Sequence, residues 1–284
     1  MAGAAIAFDL VVATLDRSEE LDRLFQSLDR QSHRGFRVVV VDQNQDERVE
    51  TVLARHPGLD VRRLRSHPGL SRARNVGLGA LAGDVVGFPD DDCVYPDDLL
   101  ERLAARFAER PELDGISGRP EDADGTRAGR WPDATAAITP RTVWNRTISH
   151  TLFLRKATVE RIGGFDESLG LGSGRRWHSG EEIDFLVRAL RQGAQVEYDP
   201  SFVVIHPQVP RDTGALLELG ARDGASVGYI LRKHRYPLRT VASMLVRPLG
   251  GAALSLLAGD VTRARFHART LAGRIRGYRA RSAA

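Results

Sequence analysis

Three short apolar runs constrain the fold of this chain more than any other feature. They are Phe8–Thr14 (FDLVVAT), Phe36–Val41 (FRVVVV) and Asp84–Phe88 (DVVGF). Each is rich in β-branched residues and has the length of a buried strand, too short for a core helix. Between them the period changes. Leu21, Leu24, Phe25 and Leu28 follow the i, i+3, i+4, i+7 spacing of an amphipathic helix, with Ser18 as its predicted N-cap. Helices are predicted over Val49–Arg55 and Ser71–Leu81, a short strand over Asp60–Leu64, and a helix through Leu99, Leu100, Leu103 and Phe107. Strands that are apolar throughout, alternating with helices, make a parallel sheet covered on both faces. Right-handed crossovers then place the ligand crevice outside the C-terminal strand ends. Thr14, Asp42 and the Asp90-Asp91-Asp92 cluster stand at those ends, so they are predicted to converge.

Beyond residue 113 the pattern is irregular. Gly115–Gly129 reads as polar and turn-rich, Thr151–Leu154 as a strand and Gly163–Gly174 as a glycine-rich loop. A helix is predicted over Glu181–Arg191 and a strand over Gln195–Ile205, ending at His206. Three helices complete the chain: Gly214–Arg235, Arg239–Leu257 and Val261–Arg279. The middle one is interrupted by Arg247-Pro248 and reads as a helix lying in a membrane interface or packing on a partner.

At 284 residues and 42% hydrophobic, the chain can bury a real core, which excludes disorder and a polytopic membrane protein. Its one cysteine, Cys93, excludes an internal disulfide and a multi-cysteine zinc site, and a reducing compartment is the default. Met1–Thr14 has no cationic residue ahead of its apolar stretch and reads as a first strand, not a signal peptide. The net charge of +4 is unevenly placed. From Val261 onward there are seven arginines and no acidic residue, which leaves −3 for residues 1–260. A basic tail behind an acidic crevice disfavours nucleic acid as a partner. In the tail Phe266, Leu271, Ile275 and Tyr278 alternate with arginines, which suits an anionic membrane surface.

Several constellations carry chemistry. Adjacent carboxylates at a strand end repel one another unless a cation neutralises them, and hard oxygen ligands suit Mg²⁺ or Mn²⁺. Asp90, Asp91 and Asp92 are therefore candidate metal ligands, and His206, at another strand end, is a candidate to complete the shell. Glu181, Glu182 and Asp184 open a helix; they are dipole-favoured capping acids or they hold a general base. Arg72, Arg74 and Asn75 begin a helix after Pro68-Gly69, and arginine pairs bidentately with phosphate. Gly172, Trp177 and His178 form a lid with a stacking wall for substrate, or simply anchor the loop.

Six of these segments in order resemble an inverting glycosyltransferase of family 2 with the GT-A fold. They are Val12–Arg17 (VATLDR), Val39–Asn44 (VVVDQN), Gly69–Gly77 (GLSRARNVG), Phe88–Pro96 (FPDDDCVYP), Gly163–Glu167 (GGFDE) and Gly180–Arg188 (GEEIDFLVR), within residues 8–206. The resemblance implies an α/β catalytic domain over 1–210, with a nucleotide-sugar half to about 112 and an acceptor half beyond. A helical extension follows over 211–284. It implies that Thr14, Asp16, Arg17 and Asp42 hold the nucleoside, with Arg72, Arg74 and Asn75 near its phosphates. Asp90 and Asp91 would also face the nucleotide-sugar. The aspartate cluster would hold Mg²⁺ or Mn²⁺ on the diphosphate, with His206 nearby. Glu182 matches the family's base position but is glutamate where the family has aspartate, so Glu181 and Asp184 remain alternatives. The implied donor is a UDP-, GDP- or dTDP-sugar. The implied acceptor is a glycan or lipid-linked intermediate met at the cytoplasmic face of the membrane. A sugar-nucleotide binder or a nucleotidyltransferase on the same sheet is the alternative. The latter usually wants a glycine-rich, lysine-containing phosphate loop near the N-terminus, and VATLDRSEE has none.

Overall fold

The structure, a computed structural model, describes residues 6–127, 129–174, 176–207 and 211–280. The start of the Met1–Thr14 segment and Arg281 of the basic tail lie outside them. The chain forms two compact units, residues 1–165 with 185–208 and residues 166–184 with 209–284.

The first unit is built from β1 (Phe8–Thr14), α1 (Glu19–Asp29), β2 (Phe36–Asp42), α2 (Arg48–Leu53), β3 (Val61–Arg65), α3 (Leu70–Leu78), β4 (Val85–Gly87) and α4 (Leu99–Glu109). There follow β5 (Gly115–Glu121), β6 (Ala136–Ala137), β7 (Leu152–Arg155), α5 (Lys156–Ile162), α6 (Glu181–Arg191, whose first turn belongs to the second unit) and β8 (Val196–Ile205). One sheet runs β3-β2-β1-β4-β7-β5-β8-β6. It is parallel from β3 to β4 and between β5 and β8; β7 is antiparallel to both neighbours and β6 to β8.

The predicted strands and helices of the first 110 residues appear with small shifts of their ends. Val38 to Val41 are all fully buried, because helices cover both faces of β2 and neither can be polar. Leu21, Leu24, Phe25 and Leu28 of α1 are likewise buried, each contributing roughly 1.5–3 kcal/mol. Ser18 occupies the N-cap of α1, but its backbone is already helical and its side chain makes no capping bond. A buried carboxylate, Asp9, is fully satisfied: Arg37 Nε donates at 2.5 Å, and the Ala82 and Gly83 amides at 2.7 Å each. These bonds fix the turn that leads into β4.

Two segments depart from the sequence reading. Gly115–Gly129, expected to be irregular, begins with strand β5. Its glycines and proline hide it. A Cβ at Gly118 would lie 1.9 Å from the Phe202 carbonyl oxygen, so only glycine allows β8 this close. Pro120 is tolerated because β7 pairs only as far as Ser117, leaving that edge of β5 open. Helix α5, directly after β7, was not anticipated.

The second unit contains α7 (Thr213–Lys233), α8 (Leu238–Leu257) and α9 (Val261–Arg279), close to the predicted bounds. Asp212 and Asp260 cap α7 and α9, accepting from the Ala215 and Arg263 amides at 2.8 Å each. Helices α7 and α9 meet through two rows of glycine spaced by four: Gly220, Gly224 and Gly228 against Gly273 and Gly277. A Cβ at Gly224 would sit 2.4 Å from the Thr270 carbonyl oxygen, and one at Gly277 1.9 Å from that of Ala225. Backbones this near leave no room for a side chain. Gly277→Val is therefore expected to destabilise this unit by about 1–3 kcal/mol or more, read as a lowered melting temperature. An unchanged melting curve would show that the two helices do not meet this way.

The tail also packs differently from its linear pattern. Phe266, Leu271, Ile275 and Tyr278 are partly buried, with Phe266 against Gly220, while Arg263, Arg265, Arg269, Arg276 and Arg279 are exposed. Most of the exposed apolar surface of this unit lies on α8, where Val246, Leu249, Leu254, Leu256 and Leu257 face outward. Val241, Met244, Pro248 and Ser255 form the buried face of that helix.

Candidate active site

The C-terminal ends of β1, β2 and β4 do bring their polar residues together. Thr14 pairs with Asp42 in register. Thr14 is buried, its hydroxyl donates to the Arg17 carbonyl at 3.3 Å, and its side chain also hydrogen-bonds Asp91. Asp16 takes a left-handed backbone (φ 59°), which aspartate tolerates, and its amide donates to Asn44 Oδ1 at 2.7 Å. Its carboxylate pairs with Arg48 at 3.1 Å. Asn44 in turn donates to Asp42 Oδ1 at 2.8 Å. Asp42 is fully buried, and Arg63 grips its other oxygen through Nε and Nη2 at 3.0 and 2.9 Å, with Arg65 at 3.1 Å. Arg63 and Arg65 lie at alternate positions of β3, where exposed arginines look like an ordinary solvated face. Only the sheet order puts them beside β2.

The aspartates after β4 divide their partners. Asp90 Oδ1 accepts from Arg74 Nη2 at 3.1 Å, and its Oδ2 lies 3.0 Å from His150 Nδ1. Burial alone would raise this carboxyl, but the hydrogen bond and charge of His150, with Arg74 and His206, hold it well below the usual carboxylate range. Asp92 pairs with His206 Nε2 at 3.1 Å, which raises the imidazole above its ordinary value. Asp91 is different. Burial pushes it up to about 7, against the opposing pull of Thr14 and Arg17 and with the help of its two acidic neighbours. Arg17 reaches both Asp91, at 3.2 Å, and Asp92.

His150 and His206 stack with ring centroids 4.6 Å apart. Ligand atoms of Asp90, His150 and His206 all lie within 4.8 Å of one another. The His150 Nε2 is buried, with no hydrogen-bond partner among the described residues. An orphaned imidazole nitrogen among a second imidazole and a carboxylate fits a divalent metal, because a buried polar atom otherwise loses its solvation for nothing. The sequence reading missed His150. It precedes β7, and only the antiparallel course of that strand carries its start to the end of β4.

Other candidates have structural commitments. Arg74 is 1% exposed and lies over the Phe165 ring at 5.5 Å. Asn75 clamps the Phe165 backbone, donating from Nδ2 at 3.0 Å and accepting at 2.6 Å, so it positions the GGFDE segment. Arg72 is exposed and donates to the Pro68 carbonyl at 3.4 Å.

Residues 166–184, assigned from the sequence to the catalytic domain, belong with the C-terminal helices. Trp177 is buried and stacks on Tyr229 at 4.6 Å, which favours the anchoring reading over a wall for substrate. Lys233 bonds Asp166 at 2.6 Å and Asp184 at 2.5 Å, and His234 bonds Asp184 at 2.8 Å. Asp184 is thus fully buried and doubly paired. Of the other acids in the first turn of α6, Glu181 is buried and Glu182 half-buried. Gly172 has a left-handed backbone (φ 69°) on the exposed loop, and His178 is half-buried.

Comparison with known proteins agrees with this architecture. A Mycobacterium tuberculosis protein named pre-mycofactocin glycosyltransferase is 28% identical over 210 residues, 69% of this chain. The chain spans only 42% of that relative's length. Glycosyltransferase AglE of Haloferax volcanii is 22% identical over 253 residues, covering 85% of this chain and 80% of AglE. Among solved structures, the mannosyltransferase PcManGT from Pyrobaculum calidifontis, in complex with GDP-Man and Mn²⁺, superposes with a TM-score of 0.65 at 17% identity. That match covers 97% of this chain and 88% of PcManGT. S. aureus TarS 1–349 in complex with UDP-GlcNAc superposes with a TM-score of 0.61 at 18% identity, covering 92% of this chain and 90% of TarS 1–349. These superpositions establish the GT-A fold. The model of Glycosyl transferase family 2 matches residues 9–167, more than half of the chain and every element that carries Asp42, Arg74 and the aspartate cluster. The chain belongs to glycosyl transferase family 2.

Proposed function

We propose that this protein is a metal-dependent inverting glycosyltransferase that moves a sugar from a nucleoside diphosphate to an acceptor hydroxyl. The observation that carries this reading is the Asp90–His150–His206 cluster, with its orphaned His150 nitrogen, at the strand ends of a family 2 chain. Asp90, His150 and His206 would hold the ion. Two imidazoles beside one carboxylate suit Mn²⁺ better than Mg²⁺, which prefers oxygen ligands and retained water. Such an ion neutralises charge on a leaving diphosphate. Asp16, Asp42 and Asn44, braced by Arg48, Arg63 and Arg65, offer the polar rim for the nucleoside. Arg17, which pairs with Asp91 and Asp92, would balance their charge beside that ion. Glu182 takes the proton of the acceptor hydroxyl as its oxygen bonds to the anomeric carbon and the carbon–oxygen bond to the diphosphate breaks. One displacement inverts the configuration.

The acceptor in this reading is lipid-linked, met where the helical unit docks on an anionic membrane. The exposed apolar stripe of α8 and the exposed arginines of α9 support this. Helix α8 is long and apolar enough to cross a membrane, but its buried face and internal Pro248 favour lying along the surface.

A thermal-shift screen with Mn²⁺ across UDP-, GDP- and dTDP-sugars tests the core of the proposal. One nucleotide is expected to raise the melting temperature by about 5–10 °C at roughly a hundredfold excess over its Kd. No shift with any of them would overturn donor binding.

A further inference from the structure

The helical unit contains a cavity of about 320 Å³ walled by α7, α8 and α9. That is within the range of about 300–1,000 Å³ in which small ligands are held. Val227, Pro248 and Phe266 give it an apolar wall, and Arg247 and Arg274 give it charge. Arg274 Nη1 donates to the Met244 carbonyl, which ties α9 to α8. Its Nε is buried and has no hydrogen-bond partner among the described residues. Burial, and then the charge of Arg247, push the Arg274 guanidinium down to about 10. Two cations beside an apolar wall, one with an unmet donor, are stabilised by an anion.

The other titratable groups on the wall do not supply that anion. Asp223 accepts from Ser179 Oγ at 3.0 Å, and no ion pair joins it to either arginine among the described residues. Burial, with Arg263 and Arg274, holds His267 below its ordinary value, and an imidazole supplies no anion in either form. Arg247 and Pro248 sit on α8 between Val246 and Leu249, both of which face outward. A phosphate held at the arginines therefore has an exposed apolar stripe beside it for a hydrocarbon chain.

We propose that this cavity binds the phosphate head of an anionic lipid, with Arg247 and Arg274 on the phosphate and the lipid chain along α8. The proposal rests on the membrane-docking reading above and goes beyond it by assigning a headgroup site. A free phosphate ion would lack the chain, and the apolar wall would then contribute nothing.

The full-length protein is mixed with phosphatidylcholine vesicles carrying either phosphatidic acid or phosphatidylserine at matched net charge. Binding is expected to be roughly tenfold tighter to phosphatidic acid, and Arg247→Gln is expected to remove that preference. Arg247 is the decisive position, because Arg274 also holds the Met244 carbonyl. A second measurement separates pocket from docking: monomeric dihexanoyl phosphatidic acid should raise the melting temperature of the wild type but not of Arg247→Gln. Leu256→Asp with Leu257→Asp, exposed on α8 more than two turns from Arg247, should weaken binding to all vesicles yet keep that stabilisation. If the soluble lipid stabilises the protein while no vesicle binds it, docking fails and the pocket stands. Equal binding to both lipids, a preference that survives Arg247→Gln, or equal stabilisation by inorganic phosphate would overturn the proposal.

Discussion

Glu182→Gln is expected to lower turnover by about 10²–10⁴-fold, the usual contribution of a positioned general base, while nucleotide-sugar binding with Mn²⁺ stays intact. The substitution keeps the shape and the hydrogen-bonding reach of the side chain and removes only its capacity to accept a proton. The neighbours explain why this residue is chosen. Asp184 is fully buried between Lys233 and His234, so replacing it strips an ion pair from the helical unit and is expected to cost stability first. Glu181 is buried, whereas Glu182 is half-buried and closer to solvent. Steady-state kinetics on both single variants decide the matter. Loss of turnover in Glu181→Gln with full turnover in Glu182→Gln would move the base by one residue. Full turnover in both would leave the family's base position without a catalytic role here.

The second large effect concerns the metal. His150→Gln is expected to weaken Mn²⁺ binding by at least about tenfold, because it removes one of three converging ligand atoms. Asp90→Asn should do the same and also leave Arg74 and His150 without their shared carboxylate. Chelation of the wild type should stop transfer, and Mn²⁺ should restore it more effectively than Mg²⁺. Titration of Mn²⁺ by electron paramagnetic resonance, in the presence of the nucleoside diphosphate, reads the affinity directly. An unchanged isotherm for His150→Gln would remove this histidine from the metal site. Substituting Asp92 is expected to act on the metal indirectly, through His206, which it pairs with at 3.1 Å.

The parallel half of the sheet was readable because its code is local. A strand buried on both faces must be apolar throughout, and a covering helix must repeat at i, i+3, i+4. Phe8–Thr14, Phe36–Asp42 and α1 obey those rules and appear as predicted. Strand β5 was not readable, because its glycines exist for the approach of Phe202 and Pro120 is permitted by an open edge. Both reasons lie in other strands. The same holds for α9. Its alternating arginines and apolar residues look amphipathic in one dimension, yet the apolar side chains turn to the glycine row of α7, and the exposed leucines belong to α8.

The sequence by itself determined the alternation of strand and helix, the placement of Thr14, Asp42 and the aspartates at strand ends, and the order of motifs that marks the family. Those depend on side chains acting within a few residues of one another. The tertiary structure alone decided which aspartate meets which cation. Asp90 faces Arg74 and His150, Asp91 and Asp92 face Arg17, and Asp42 is gripped by Arg63 and Arg65. It also decided that His150 stands beside His206 and that Asp184 is locked by Lys233 and His234. The physical reason is direction. A strand's apolar pattern reads the same whether it runs parallel or antiparallel, and only the antiparallel course of β7 brings a histidine from its start to the aspartate-bearing end of β4.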